Sequence, residues 1–129
     1  MALLPKNLVL KLHTKIIEKS GGSHGVRDDH ALDSCLEQPL STFGGQDLYP
    51  SQIDKGAAIG FFLIANHPFI DGNKRIGLIA MKQYLAFHKY YIEASIDTQE
   101  SIILAVASGE MDRETFTKWV EKHVIIFPL

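Results

Sequence analysis

The sequence predicts an almost all-helical protein: a compact all-α bundle with at most a short β-hairpin or extended flap. Three observations carry that expectation. Apolar residues return at helical spacing in one segment after another. Glycine, proline and capping residues punctuate those segments. The chain has 129 residues, 46% of them hydrophobic and 22% charged, which suits one domain with one buried core and argues against disorder.

Each element follows in turn. Leu8, Leu12 and Ile16, with Val9 and Ile17 beside them, mark one face of a first helix. Gly21-Gly22 ends it, because glycine takes the left-handed cap conformation. GGSHGVRDD, residues 21–29, is a polar, glycine-rich loop. Asp29 is expected to cap a short second helix with Leu32, Cys35 and Leu36, which Pro39 stops. LSTFGGQDLYPS, residues 40–51, is turn-rich and reads as a loop or a short hairpin. Pro50 and Ser51 open a third helix that buries Ile53, Ala57, Phe61, Ile64 and Ala65. A central helix is expected from about Asn73 to His88, with Ile76, Ile79, Ala80, Leu85 and Phe87 broad enough for burial on most sides. YYIEAS reads as a short extended segment. Asp97-Thr-Gln-Glu100 resembles a capping box and starts a helix through Ile102, Ile103, Ala105 and Val106, ended by Gly109. Asp112 caps the last helix, with Phe116, Trp119, Val120 and His123 at helical spacing and Trp119 read as core. No repeat, linker or second domain interrupts residues 1–129.

Composition narrows the functional classes. The formal net charge is −2 and no basic face stands out, so no direct DNA binding is expected. The single cysteine, Cys35, allows no internal disulfide, fits a reducing cytoplasm and reads as a small core residue. Lys6 and Lys11 break the apolar start and no small-residue cleavage pattern follows, so no export signal is expected. The longest apolar run, Gly56 to Ala65, falls short of the roughly 20 residues that span a bilayer, so no membrane partner is expected.

The chemistry concentrates in HPFIDGNKRIG, residues 67–77, between two apolar helices. Pro68 biases His67 out of the α region, so the third helix should end there. Phe69 and Ile70 are expected to pin the loop to the core, and Asp71-Gly72 is a turn signal. Asn73 then opens the central helix, whose first N–H groups lack partners and whose dipole makes that end positive. A Gly72-Asn73 turn feeding it makes a concave nest of N–H groups suited to phosphate. Lys74 and Arg75 add two cations where cations are unfavourable unless an anion neutralises them. Asp71 is placed to hold a magnesium ion bridging phosphate oxygens, and His67 has an unperturbed pKa suited to accepting a hydroxyl proton. These parts describe phosphoryl or nucleotidyl transfer from ATP or another nucleoside triphosphate to a hydroxyl. Taken singly they have plainer readings: a surface histidine, a turn and a solvated pair of cations.

The run His67-Pro68-Phe69-Ile70-Asp71-Gly72-Asn73-Lys74-Arg75 resembles the core motif of the Fic/Doc family. Lys74 stands where Fic proteins carry a second glycine and matches the death-on-curing (Doc) branch. Gly21-Gly22-Ser23-His24-Gly25-Val26-Arg27-Asp28 is similar to the glycine-rich segment after the first helix of Doc relatives, and Tyr49-Pro50-Ser51 also fits. The resemblance runs along nearly the whole chain. It implies a Fic/Doc-type helical bundle and the toxin of a toxin–antitoxin module. That toxin moves the γ-phosphate of a nucleoside triphosphate to a threonine of elongation factor Tu and arrests translation. By position, His67 would be the general base and Asp71 would bind Mg2+. Gly72 and Asn73 would hold phosphates, and Lys74 and Arg75 would neutralise transferred charge.

Two departures bear on this. Fic proteins carry an arginine three residues after Arg75, and this chain has Leu78 there, which disfavours adenylylation. Many Fic proteins silence themselves with a helix bearing (Ser/Thr)-x-x-x-Glu-(Gly/Asn). The nearest match, Thr14 to Glu18, is followed by Lys19, so Glu18 reads as solvated and inhibition should come from a cognate antitoxin helix in a groove. Residues 40–51, with Phe43 and Leu48, are either a target-docking flap or an ordinary connection. The alternatives are a Fic-type protein adenylyltransferase and a non-catalytic module that binds its antitoxin.

Overall fold

The computed structural model describes residues 3–127, so the outermost two positions at each end of the chain lie outside the described residues. The elements run α1 (Lys6–Ser20), α2 (Asp29–Glu37), a single 3-10 turn (Gln38–Leu40), β1 (Thr42–Phe43), β2 (Gln46–Asp47), α3 (Gln52–Asn66), α4 (Asn73–Phe87), β3 (Tyr90–Ile92), α5 (Ile96–Ala107), α6 (Arg113–His123) and β4 (Val124–Ile126). The fold is mostly α, as the apolar spacing requires, with two small antiparallel sheets.

Helices α3 and α4 form the centre. Their mean composition is apolar because both sides are covered. Ile59 and Leu63 of α3, with Ile76, Ala80 and Tyr84 of α4, join a core built with Val9 and Ile16 of α1 and Leu32, Cys35 and Leu36 of α2. Ala57 and Ile64, with Met81 and Leu85, face a second core holding Ile103 and Val106 of α5 and Phe116 and Val120 of α6. Each fully buried Leu or Ile stabilises such a core by about 1.5–3 kcal/mol. The two central helices approach closely because each presents a glycine. A Cβ on Gly60 would lie 3.3 Å from the Gly77 carbonyl, and one on Gly77 would lie 3.1 Å from the Gly60 carbonyl. That contact holds the end of α3 and the start of α4 in one place, and the connecting loop carries the polar motif.

Several local expectations are corrected. Asp28, not Asp29, caps α2: its carboxylate accepts from the Ala31 N–H at 3.0 Å while its backbone is still extended and Asp29 is already helical. Ser95, not Asp97, caps α5, accepting from the Thr98 N–H at 3.1 Å, so Asp97 lies in the first turn beside the positive helix end. Ile79 and Phe87, expected inside, are 37% and 58% exposed, because the face of α4 that meets its neighbours is made by Ile76, Gly77, Ala80, Met81, Tyr84 and Leu85. Trp119 packs against the second core, partly buried, and stacks on His123 at 4.4 Å.

The 40–51 segment contains a hairpin, with Thr42 opposite Asp47 and Phe43 opposite Gln46. Gly44 and Gly45 make its two-residue turn at φ 59° and 80°, a geometry that favours glycine. At its base Lys55, buried on α3, pairs with Asp47 at 3.3 Å and donates to the Tyr49 carbonyl. YYIEAS supplies β3 as an extended segment, but its partner β4 had no signal in the sequence reading. Tyr90 pairs with Ile126 and Ile92 with Val124.

Candidate active site

Helix α3 stops at Asn66, and His67 caps it with a left-handed backbone at φ 48°, ψ 57°. The proline after it drives His67 out of the helical region as expected, but into the left-handed region rather than an extended one. A non-glycine residue keeps that conformation only when its surroundings hold it. Arg27 does so: its Nε donates to the His67 carbonyl at 2.7 Å and its Nη2 to the Asn66 carbonyl at 3.0 Å. The glycine-rich loop then runs alongside the motif. The N–H groups of Arg27 and Asp28 donate to the Pro68 carbonyl, Val26 bridges Phe69, and the Ile70 N–H donates to the Gly25 carbonyl.

Phe69 is buried and anchors the loop, whereas Ile70 is 56% exposed, against expectation. Strand-like pairing explains the split, since successive side chains point to opposite sides and only one faces the core. Asn73 closes the loop. Its side-chain oxygen accepts from the Phe69 N–H at 2.9 Å and its amide donates to the Phe69 carbonyl at 3.0 Å.

Asp71 sits where the two loops meet α1. One carboxylate oxygen accepts from the Gly72 N–H at 2.9 Å and the other from the Ser23 N–H at 3.1 Å. The Ser23 N–H, then the Gly72 N–H, holds this carboxyl below the usual carboxylate range, with the Arg75 charge adding to them. Gly22 permits the approach, because a Cβ there would lie 2.6 Å from an Asp71 carboxylate oxygen. The Asp71 carbonyl accepts from His13 Nε2 at 2.8 Å.

No side chain caps α4; Gly72 stands at its N-cap with φ 76°. The first-turn N–H groups therefore face the loop without a capping partner. Lys74 is exposed beside them. Arg75 is braced by α1, donating to the Ser20 hydroxyl and, at 3.5 Å, to the Gly21 carbonyl. His67, Ile70, Asp71, Gly72, Asn73, Lys74 and Arg75 line one cleft of about 170 Å³. All six residues singled out in the sequence thus meet in one place. The positive helix end and two cations face a single carboxylate, an excess of positive charge that suits a polyanionic ligand.

Among the described residues no group of three or more His, Cys, Asp or Glu side chains could hold a metal ion by itself. The lone Asp71 carboxylate fits magnesium, which usually takes one or two carboxylates and completes its shell with phosphate oxygens and water. Each Asp71 oxygen accepts one N–H, and a carboxylate offers about four lone-pair positions, so capacity for a cation remains.

A second depression of about 300 Å³ shares Lys74 and Arg75 as a wall and is otherwise lined by Leu78, Glu100, Ile103 and Leu104. On the hairpin Phe43 is 80% exposed. Glu18 is exposed, and among the described residues no ion pair joins it to Arg75.

Sequence reasoning missed three supports of the site. Arg27 and Ser23 lay in a segment read as a polar, glycine-rich loop similar to that of relatives, and the arginine side chain in that loop was the available signal. His13 lies on α1, outside the motif, where the sequence showed no metal-ligand spacing. Its signal was a histidine on the same face as Val9, Ile16 and Ile17, with which it makes up the buried residues of α1.

The chain matches the Fic/DOC family model over residues 3–85. It is also similar to a relative named Toxin Doc from Mycolicibacterium smegmatis, with 34% identity over 97 residues that cover 74% of this chain and 75% of that protein.

Proposed function

The chain belongs to the Fic/DOC family, and from that premise we propose that it is the toxin of a toxin–antitoxin module, a transferase that moves the γ-phosphate of a nucleoside triphosphate to a protein hydroxyl. The observation that carries this reading is the cleft in which His67, Asp71 and the cationic start of α4 converge.

The target hydroxyl is held beside His67, whose ring nitrogen takes its proton as the oxygen attacks the γ-phosphorus. The bond from that phosphorus to the β,γ-bridging oxygen breaks, and the nucleoside diphosphate leaves with the bonding pair. The N–H groups at the start of α4 and the charges of Lys74 and Arg75 hold the phosphate oxygens in line, so positioning and charge neutralisation supply most of the catalysis. Magnesium held by Asp71, when bound, supplies further neutralisation of phosphate charge. Asn73 contributes its backbone N–H and the shape of the loop, because its side chain is engaged by Phe69.

Transfer of the γ- rather than the α-phosphorus is supported by Leu78. An arginine there would hold a distant phosphate; Leu78 instead lines, with Ile103 and Leu104, a second depression that shares Lys74 and Arg75 with the cleft and would suit a nucleoside. The substrate proposed is a threonine of elongation factor Tu, with arrested translation in the cytoplasm as the outcome. The exposed hairpin around Phe43 docks that substrate, and an antitoxin helix controls the site. No described helix is long and apolar enough to cross a membrane.

The test uses purified elongation factor Tu, magnesium and ATP labelled at either the γ- or the α-phosphorus. Label from γ alone is expected. Label from α means nucleotidyl transfer. A non-catalytic binding module gives neither, and ATP with magnesium then leaves the unfolding temperature unchanged. A folded state that binds ATP gains about 2.7 kcal/mol at 100 times the dissociation constant.

A further inference from the structure

We propose that His13, on α1 and outside the motif, is a positioning residue that fixes the Asp71-Gly72 turn for the phosphate-bearing substrate through its Nε2–H bond to the Asp71 carbonyl. This rests on the functional reading above and adds the element that holds that site in shape. His13 is 2% exposed, although a buried polar side chain is costly unless it is hydrogen-bonded. It touches the motif loop twice. The ring stacks on Phe69, centroid to centroid 3.9 Å and 12° from parallel. Its Nε2 lies 2.8 Å from the Asp71 carbonyl, 58 residues along the chain. A carbonyl only accepts, so Nε2 must carry the proton.

The consequence lies in what the next bonds do. The Asp71 carbonyl points back to α1 while its carboxylate takes the Ser23 and Gly72 N–H groups. Carbonyl and carboxylate are thereby each held by their own partners, which restrains the orientation of the side chain that would bind magnesium. Gly72 is fitted to the same ring: a Cβ there would stand 3.5 Å from His13 Nε2 and 3.2 Å from Ile17 Cδ1. The stack on Phe69 is a packing contact. The N–H bond is a directional one, and the two can be separated by substitution.

His13→Phe keeps an aromatic ring on Phe69 and removes the donor. His13→Gln restores an N–H at nearly the distance of Nε2 without the ring. With folding checked by circular dichroism, His13→Phe is expected to weaken ATP binding in magnesium by about 10–100-fold, the usual loss when a supporting partner of a metal ligand is removed. His13→Gln is expected to recover most of it. Hydrogen exchange at the Ser23 and Gly72 amides should quicken in His13→Phe and slow again in His13→Gln. In the unaltered protein, nitrogen-15 spectra of the ring should show the Nε2-protonated tautomer. A ring protonated only at Nδ1, or a folded His13→Phe with unchanged amide exchange, would overturn the proposal. Loss of both properties in His13→Gln as well as His13→Phe would make the role packing alone, and overturn it too. If the unaltered protein binds no ATP in magnesium, the functional reading fails, while the tautomer and the exchange rates still decide the role of His13.

Discussion

Asp71, the proposed magnesium ligand, also serves the fold. Its folded pKa is lowered by the Ser23 and Gly72 N–H groups, so it favours the folded state once the pH is above the ordinary carboxylate value near 3.8. That contribution fades as the pH falls through the lower folded value. Urea unfolding between pH 5 and pH 3 should therefore lose stability more steeply in the unaltered protein than in Asp71→Asn; equal slopes would contradict the hydrogen-bonding account. Cys35 answers a different question at this scale. It is buried, its thiol donates to the Phe62 carbonyl at 3.3 Å, and burial pushes its pKa up, so it is a core side chain and not a reactive thiolate. The sequence reading reached that from apolar spacing alone. It also singled out His67, Asp71 and Arg75, which line one cleft, because they fall within nine consecutive residues. It missed His13 and Arg27, because their partners lie 58 and about 40 residues away, and no periodicity encodes such a contact.

Among the elements, helices α3 and α4 set the site's geometry. Their contact relies on Gly60 and Gly77, where the cost of glycine in a helix interior is accepted for close packing. Gly77→Ala should gain up to about 1 kcal/mol in helix propensity and lose more to the clash with Ile64. A net destabilisation of about 1–3 kcal/mol in urea unfolding is expected, as for other overpacked cores; a stabilised variant would mean the helices are free to separate. Helix existence was legible from residues such as Ile76, Ala80 and Leu85. Helix starts were less so. The caps at Asp28 and Ser95 lay one or two positions from the expected Asp29 and Asp97, because adjacent residues competed for one role and backbone conformation decided between them. Strand β4 escaped notice since Val124–Ile126 continues an apolar, helix-like run. Only pairing with β3, more than 30 residues earlier, makes it extended.

At the level of the whole molecule, the loop between α3 and α4 is held by three sets of contacts. Residues 21–28 pair with it, α1 reaches it through His13 and holds Arg75 of α4 through the Ser20 hydroxyl, and Phe69 inserts into the core. The 42–47 hairpin stands apart from this grip, tied down at its base by Lys55, with Phe43 exposed. Lys55→Met keeps an apolar stem in place while freeing Asp47 and the Tyr49 carbonyl. It should raise the KM for the protein substrate while leaving ATP binding unchanged, and steady-state kinetics with each substrate varied would show equal effects on both if the flap had no docking role. In the proposed reaction His67 removes the proton from the attacking hydroxyl in this cleft. The most direct measurement is the rate of γ-phosphate transfer to elongation factor Tu by the unaltered protein and by His67→Ala, with folding of the variant verified by circular dichroism. A fall of about 10²–10⁴-fold is predicted, the range that a positioned general base contributes. A folded His67→Ala protein that transfers phosphate at the unaltered rate would contradict it.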